Sequence, residues 1–292
     1  MSTKLITMRI FLLTILLSLN YANYSYNGLL LPSSTYHLVS NDSDYLISKR
    51  IFLDSKYIQR FSSHFITFPN SINMGIFDFY YNIKSYKTYS SLYIINYGDF
   101  EDSESGYTFS SKDYIVKSSF SKDINENFYS SFDFKYLYSN IDTYKSSALV
   151  SKISLFYYNQ RFLIQIFMDN YGYVINKYTN FEEELPNIHG YKLMFKPKYI
   201  NAIITAKHDY FINYNVINFN TELFLFNNSS ILIGFSSLSK DLYYNEFYND
   251  FFTGVSFGIS SKYKDYLINL GFQNLGSIGV SSAFTISKLI NK

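Results

Sequence analysis

The chain has no cysteine and no tryptophan, only 4 prolines and 4 histidines, and few charges. Without cysteine it can have no disulfide framework, no cysteine-ligated zinc and no cysteine nucleophile. Only 16% of its 292 residues are charged, whereas 47% are hydrophobic and 21% aromatic, which excludes an intrinsically disordered chain. Its 32 tyrosines and 29 phenylalanines are typical of strands and not of a helix-rich enzyme.

Beyond residue 22 the chain also lacks a charge excess and a long apolar run. Residues 23–292 contain 23 basic and 23 acidic side chains, and no basic cluster stands out. No nucleic-acid partner is therefore expected. No stretch of about 20 uninterrupted apolar residues follows residue 22, which excludes a helical membrane protein.

Residues 1–22 have the layout of a secretory signal peptide. Lys4 and Arg9 precede an apolar run from Ile10 to Leu19, and small or polar residues follow up to Ala22. The run is too short to cross a bilayer as a helix. We expect this segment to direct export, with a buried N-terminal helix as the alternative.

Most of the remaining sequence alternates between apolar and polar residues with a period of two. In residues 127–139, Phe132 and Phe134 fall on one face, whereas Asp133 and Lys135 fall on the other. Because successive side chains of a strand point to opposite faces, this segment can set aromatics against an apolar phase and charges against water. The pattern predicts fourteen strands, near 57–68, 72–82, 88–98, 108–121, 126–139, 147–158, 161–171, 189–196, 201–210, 217–227, 229–238, 250–262, 264–273 and 278–288.

The length and number of these strands favour an all-β fold, a transmembrane antiparallel β-barrel of about fourteen strands. Most of them have about 9–13 residues, the length that a tilted strand needs to cross the hydrocarbon layer. An even number of strands joined by short turns can close on itself and leave no unpaired edge in lipid. A secreted β-sandwich is the alternative that the pattern leaves open.

Residues 23–56 do not follow the strand rhythm. The stretch from Leu31 to Phe52 is polar and its patterns are short. We therefore expect an N-terminal plug or hatch segment at 23–56, inside the barrel or across its mouth, and the outer-membrane barrel itself at 57–292.

The histidines give no support for a catalytic or metal site. His37, His64, His189 and His208 show no metal-ligand spacing, and His208 and Asp209 would point to opposite faces of a strand. No G-x-S-x-G motif is present, although a serine could meet a histidine across barrel strands, which leaves a hydrolase open. The sequence predicts a non-enzymatic protein with no catalytic residues, no cofactor-binding residues and no metal ligands.

Two acidic loops, 99–107 and 180–186, are expected to join strands at a solvent-exposed surface. Glu182–Glu184 could take Ca²⁺ together with Asn180, but solvated loop charge explains them more simply. Gly98 and Gly106 flank the first loop, and we expect them to be turn residues that permit positive φ.

Several motifs stand in a characteristic order along the chain. They begin with LLLPSS at 29–34 and INYGDFEDSESGYTFSSKDY at 95–114, followed by FKYLYSNIDTYKSSAL at 134–149. MDNYGYVINKYT, the later ELP at 184–186, GVSFGIS at 254–260 and SSAFTIS at 281–287 come after them. Together they resemble the PorV/PorQ family of the type IX secretion system of Bacteroidetes, in particular its PorQ branch. The chain departs from that family at 35–45, where a small-residue run is replaced by TYHLVSNDSDY.

The resemblance implies a FadL-like outer-membrane barrel that anchors a surface partner, PorZ-like or PorU-like, of the complex that attaches cargo to lipopolysaccharide. A PorV-like cargo shuttle is a variant of the same role. On this basis the expected location is the bacterial outer membrane, and the expected partners are outer-membrane lipid and a surface protein. The residues that bind a partner stay unknown.

A FadL-like transporter of hydrophobic small molecules is the alternative function. It predicts an apolar pocket in the lumen. It also predicts a lateral opening, for which Gly271, Gly276 and Gly279 could weaken the late strands.

Overall fold

A computed structural model describes residues 26–52, 59–83, 85–101, 106–179, 184–212, 214–226, 228–238 and 252–290. The expected signal sequence at 1–22 lies outside these residues. A short 3-10 helix, Asn27–Leu30, precedes helices α1 (Thr35–Ser40) and α2 (Tyr45–Phe52). The strands are β1 (Gln59–Thr67), β2 (Asn73–Ile83), β3 (Tyr86–Glu101), β4 (Thr108–Asp123), β5 (Phe128–Ile141), β6 (Tyr144–Tyr158), β7 (Phe162–Asn176), β8 (Ile188–Phe195), β9 (Ala202–Tyr210), β10 (Asn215–Phe226), β11 (Ser229–Ser236), β12 (Val255–Tyr263), β13 (Tyr266–Asn274) and β14 (Val280–Ile290).

The fourteen strands form one closed antiparallel barrel in which each strand pairs with its neighbours in sequence. The barrel closes between β1 and β14, which pair from Gln59↔Ile290 to Thr67↔Ser282. Each predicted strand overlaps an observed one, so the prediction of a fourteen-strand barrel is confirmed and the sandwich alternative is wrong. No helix in the described ranges has the length and apolar character needed to cross a membrane.

The two faces of the wall differ as the alternation predicts. On β5, Phe132 and Phe134 point outward and are 43% and 42% exposed, whereas Asp133 and Lys135 point inward and are buried. The alternation predicts that these charges face water. They are instead buried, because residues 26–52 occupy the lumen beside them.

The outward apolar surface has the height of a hydrocarbon layer. On β5 it runs from Phe128 to Tyr138, ten residue steps apart. At roughly 3.4 Å per residue and a tilt of about 45°, that corresponds to about 24 Å, close to the ~25 Å band of transmembrane barrels.

The two ends of the barrel carry different connections. One end holds the start of β1, the end of β14 and short turns such as 124–127 and 264–265; we call it the short-turn end. The opposite, long-loop end holds the connections 177–187 and 237–254. Transmembrane barrels place short turns at the periplasm and longer loops outside the cell.

The wall is tallest on one side of the long-loop end. β3 to β7 have 14–16 residues, whereas β8 has 8 and β11 has 8. Because β8 pairs with β7 only as far as Asp169↔Ile188, residues 170–176 of β7 extend beyond β8.

Gly98 and Gly106 adopt the positive φ predicted for them, 91° and 67°, which confirms that they permit left-handed backbone. Gly98, however, lies within β3, at a register shift between Asn96 and Asp99, and not in a turn. The glycines of the late strands do not open the wall. β13 pairs with β14 without a break from Tyr266 to Asn274, through Gly271↔Ala283. The predicted weakening at Gly271 is therefore wrong, and the position has a different role, described below.

A charge on the outward face should reveal the apolar phase. Phe134→Arg is expected to lower the free energy of unfolding in a bilayer by about 2–4 kcal/mol, because the guanidinium would lie in hydrocarbon. Asn140→Arg, on the same face of β5 but beyond the apolar band, should cost about 0–1 kcal/mol. Urea unfolding of the barrel in lipid vesicles measures both, and equal costs would contradict a membrane-spanning band.

Candidate functional site in the barrel lumen

The N-terminal segment, residues 26–52, folds into short helices. The residues that cap helix α1 at both ends lie within the segment itself. The Ser34 side chain accepts a hydrogen bond from the His37 N–H at 3.1 Å and caps α1. Asn41 ends α1 in the left-handed conformation, with φ of 50°, and its N–H donates to the His37 carbonyl. The segment can therefore turn inside the lumen within a few residues.

α1 fits against the wall because three wall residues that face it, Gly234, Gly258 and Gly271, have no side chain. A Cβ on Gly234 would lie 2.0 Å from the Val39 carbonyl oxygen, and one on Gly271 would lie 2.7 Å from the Thr35 Cγ2. The Ser256 hydroxyl also donates to the Val39 carbonyl, at 2.6 Å. These strand glycines permit close approach of a helix.

A chain of buried hydrogen bonds joins α1 to the closure of the barrel. The hydroxyls of Thr35 and Thr285 lie 2.8 Å apart, and Thr285 Oγ1 is 2.8 Å from His64 Nδ1. His64 Nε2 lies 2.5 Å from Asp78 Oδ2. A hydroxyl, an imidazole and a carboxylate thus meet across strands, but all three wall residues are buried and Thr35 covers the hydroxyl.

Ten charged side chains form a layer across the lumen, which we call the charged layer. Five are wall lysines and five are carboxylates. The lysines are Lys117, Lys135, Lys152, Lys192 and Lys207, and the carboxylates are Asp133, Asp169 and Asp209 from the wall and Asp42 and Asp44 from the N-terminal segment.

The lysines of the charged layer need these carboxylates because four of the lysines stand opposite one another on adjacent strands. Lys117 pairs directly with Lys135 across β4 and β5, and Lys192 with Lys207 across β8 and β9. Like charges in opposite register repel each other. Each repulsion is relieved by an acid: Asp133 lies 2.7 Å from Lys117.

The N-terminal segment supplies two of the five acids. Asp42 Oδ2 lies 2.8 Å from Lys192 Nζ, and Asp44 Oδ2 lies 2.7 Å from Lys152 Nζ. All four side chains are at most 3% exposed. Without the segment the charged layer would hold five lysines against three aspartates: Lys192 would lose Asp42, and Lys152 would keep only Asp169, 3.4 Å away.

α2 makes a further ion pair with β10, the strand next to β9. Lys49 Nζ lies 2.5 Å from Glu222 Oε1, and the Tyr45 hydroxyl donates to Glu222 Oε2 at 2.8 Å. The Ser230 hydroxyl donates to Glu222 as well, at 2.5 Å. Burial alone would lower the pKa of Lys49, but Tyr36 and Glu222 outweigh it and raise the pKa.

Asp44 stays charged at neutral pH, whereas His37 is neutral. Burial alone would raise the pKa of Asp44, but Lys152 and Lys192 hold it well below its usual range. Burial, followed by the positive charge of Lys207, lowers the pKa of His37 to about 3. The Ser33 N–H donates to His37 Nδ1 at 2.9 Å, as a neutral imidazole allows.

Two cavities lie on either side of the N-terminal segment. The cavity toward the short-turn end has a volume of about 370 Å³, and its lining includes Leu46, Phe224 and Leu267. The cavity toward the long-loop end has about 120 Å³ and is lined by the 29–31 stretch and by lysines of the charged layer. Ser33, Ser43 and Lys117 line both cavities.

The residues singled out in the sequence do not converge. His64 and His37 lie in the lumen, whereas His189 stacks on Tyr210 outside the barrel. His208 contacts Tyr191 outside while Asp209 binds Lys207 inside, which confirms that they point to opposite faces. Within the described ranges, no group of three or more acidic or histidine side chains could hold a metal ion.

The acidic loop residues are only partly described. Asn180, Glu182 and Glu183 lie outside the described residues, whereas Glu184 is exposed. The following Leu185 packs into the apolar core above the charged layer.

Sequence reasoning missed the charged layer, although one signal for it was present. All five lysines occupy the face of their strands opposite the aromatics, a face expected to meet water. The alternation along one strand does not show which side chains meet across the lumen. Asp42 and Lys192, for example, are 150 residues apart in the sequence.

Replacing one of the close-contact glycines should displace α1. Gly234→Ala puts a methyl group onto the Val39 carbonyl and is expected to speed cleavage of the N-terminal segment by an added protease about tenfold or more in the folded barrel. Gly75→Ala is the control, because a Cβ there has nothing within 4 Å. Equal cleavage rates in the two variants would contradict close packing at Gly234.

Removing one acid of the segment should loosen it while the wall stays intact. Asp42→Asn leaves Lys192 buried without its carboxylate and is expected to destabilise the docked segment by about 3–5 kcal/mol. Asp133→Asn breaks a buried pair within the wall and serves as the control. We expect protease cleavage of residues 26–52 only with Asp42→Asn; protection in both variants would show that the ion pair does not hold the segment.

No protein-family model matches this sequence, and no curated protein sequence matches it. Solved structures do share its fold. The toluene transporter TodX of Pseudomonas putida aligns with a TM-score of 0.55 and 11% identity, covering 87% of this chain and 95% of that chain. The toluene transporter TbuX of Ralstonia pickettii gives 0.58 and 8%, with coverages of 90% and 100%. The monoaromatic hydrocarbon channel CymD gives 0.57 and 7%, with coverages of 91% and 99%.

These similarities concern the fold. The chain is a closed fourteen-strand antiparallel barrel with short N-terminal helices, like the FadL-type barrels among its structural neighbours. Nothing in the comparisons supports the PorV/PorQ resemblance in particular.

Proposed function

We propose that this chain is an outer-membrane channel for small hydrophobic compounds, closed at rest by its N-terminal segment. The observation that carries the proposal is the cavity of about 370 Å³ beneath that segment, with apolar side chains in its wall. Its volume is in the range of small-molecule sites. Charged side chains also line it, namely Lys49, Arg60, Asp78, Lys117 and Lys262.

The location in the outer membrane rests on the outside of the barrel. A closed wall with an outward apolar band of about 24 Å leaves no unpaired backbone in lipid. Such barrels occur in outer membranes, and export through the signal sequence at 1–22 is part of the proposal.

The route through the lumen follows the two cavities. A compound that enters from the long-loop end meets the smaller cavity first and must pass Ser33, Ser43 and Lys117 to reach the larger one. Since Ser33 and Ser43 belong to the N-terminal segment, passage requires that segment to move. In this proposal, residues 23–56 act as the plug.

The substrate class is suggested by chemistry and by fold. Leu46, Phe224 and Leu267 offer apolar contact in the larger cavity. The similar structures TodX and TbuX are described as toluene transporters, and CymD as a monoaromatic hydrocarbon channel. We therefore propose small aromatic hydrocarbons as the first compounds to test.

Filling the larger cavity should slow uptake. Leu267→Trp, which projects a bulky ring into the cavity, is expected to reduce uptake of labelled toluene by cells carrying the barrel at least several-fold. Leu270→Trp lies three residues away on the outward face of the same strand and should leave uptake unchanged. Toluene uptake that does not depend on the barrel, or is equal in both variants, would overturn the proposal.

Anchoring of a surface protein is the second candidate, favoured by the filled lumen and by the tall wall of β3 to β7. It follows from the PorV/PorQ resemblance and would involve a PorZ-like or PorU-like partner of a type IX attachment complex. A pull-down of the tagged barrel in mild detergent, read by mass spectrometry, tests it. Stoichiometric recovery of such a protein, with no barrel-dependent uptake of toluene, would replace the channel proposal.

A further inference from the structure

Two lysines face outward at the long-loop edge of the apolar band. Lys112 on β4 and Lys145 on β6 are both cross-strand partners of Asn140 on β5. Both lysines are exposed, and the three residues form a row across adjacent strands. Strands lie about 4.8 Å apart, so the two lysine Cα atoms are about 10 Å apart.

The row lies at the level where lipid headgroups begin. Lys112 and Asn140 each stand two residues beyond a tyrosine on the same face, Tyr114 and Tyr138, whose ring centroids are 6.3 Å apart. Tyr138 is also the last ring of the outward apolar run on β5. Aromatic girdles mark the interface of a transmembrane barrel, so the next outward residues meet headgroups.

The two positive charges have no acidic partner in the described part of the chain. No ion pair within 4.0 Å joins Lys112 or Lys145 to a described residue. The acid nearest to Lys145 in sequence, Asp142, accepts a hydrogen bond from the Tyr107 hydroxyl at 2.8 Å. Asp113, beside Lys112 in sequence, points inward.

We propose that Lys112, Asn140 and Lys145 bind the headgroup of an outer-leaflet lipid that carries two phosphates. Cations about 10 Å apart can each engage one phosphate, and the amide between them can hydrogen-bond the headgroup. The long-loop end faces the outer leaflet in a transmembrane barrel, which sets the source of the lipid. The row lies outside the lumen, so this site does not depend on what passes through the channel.

Binding of defined lipids to the purified, folded barrel tests the proposal. Diphosphoryl lipid A in mild detergent is the probe, and monophosphoryl lipid A and phosphatidylglycerol are the comparisons. We expect the wild-type barrel to prefer the diphosphorylated probe, and the double variant K112Q/K145Q to bind it at least tenfold more weakly, since each lysine near a lipid surface contributes to binding.

A matched variant separates the site from general surface charge. K122Q/K288Q removes two outward lysines at the short-turn end, one of them on the same strand as Lys112, and should bind the probe like the wild type. Heat-dependent gel migration checks that every variant is folded. Unchanged binding in K112Q/K145Q, an equal loss in the control variant, or equal affinity for monophosphoryl and diphosphoryl lipid A would each overturn the proposal.

Discussion

Burying a charged lysine side chain inside a barrel costs desolvation free energy, which is offset only if a carboxylate lies within a few ångströms. Five lysines of β4 to β9 impose this condition together, and three wall aspartates do not satisfy it. Asp42 and Asp44 complete the set, so the charged layer has as many carboxylates as lysines only when the N-terminal segment is in place. The position of Asp42 and Asp44 and the division of the lumen into two cavities depend on these ion pairs.

The two sides of the lumen hold the segment by different means. Toward β4 to β9 the contacts are ionic, whereas toward β11 to β13 they are steric, because Gly234 and its neighbouring glycines leave a groove that fits α1. Ion pairs tolerate small displacements if the charges stay close, but backbone contact with a glycine groove does not. A rotation of the segment would therefore break the glycine contacts first and the ion pairs later.

The fold could be predicted from the sequence because consecutive residues of a strand point to opposite faces, so the two faces can be identified from neighbouring residues alone. Phe132, Asp133 and Phe134 reveal a strand and its apolar side without any knowledge of the partners. The lumen could not be predicted, because its interactions join residues that are far apart, such as Asp42 and Lys192. Gly271 illustrates the difficulty: in a strand a glycine indicates weakness, yet here it provides space for Thr35.

The contact between Thr35 and Thr285 joins residues 250 positions apart. During synthesis the N-terminal segment emerges first, but its partner belongs to the final strand, so the segment cannot dock until nearly the whole chain is available. Contacts of such long sequence separation form slowly, because much chain entropy is lost before they contribute. Docking of the segment and closure of β1 on β14 thus become one late event in assembly, and a chain that stops before β14 would have neither a closed wall nor this anchor for its first helix.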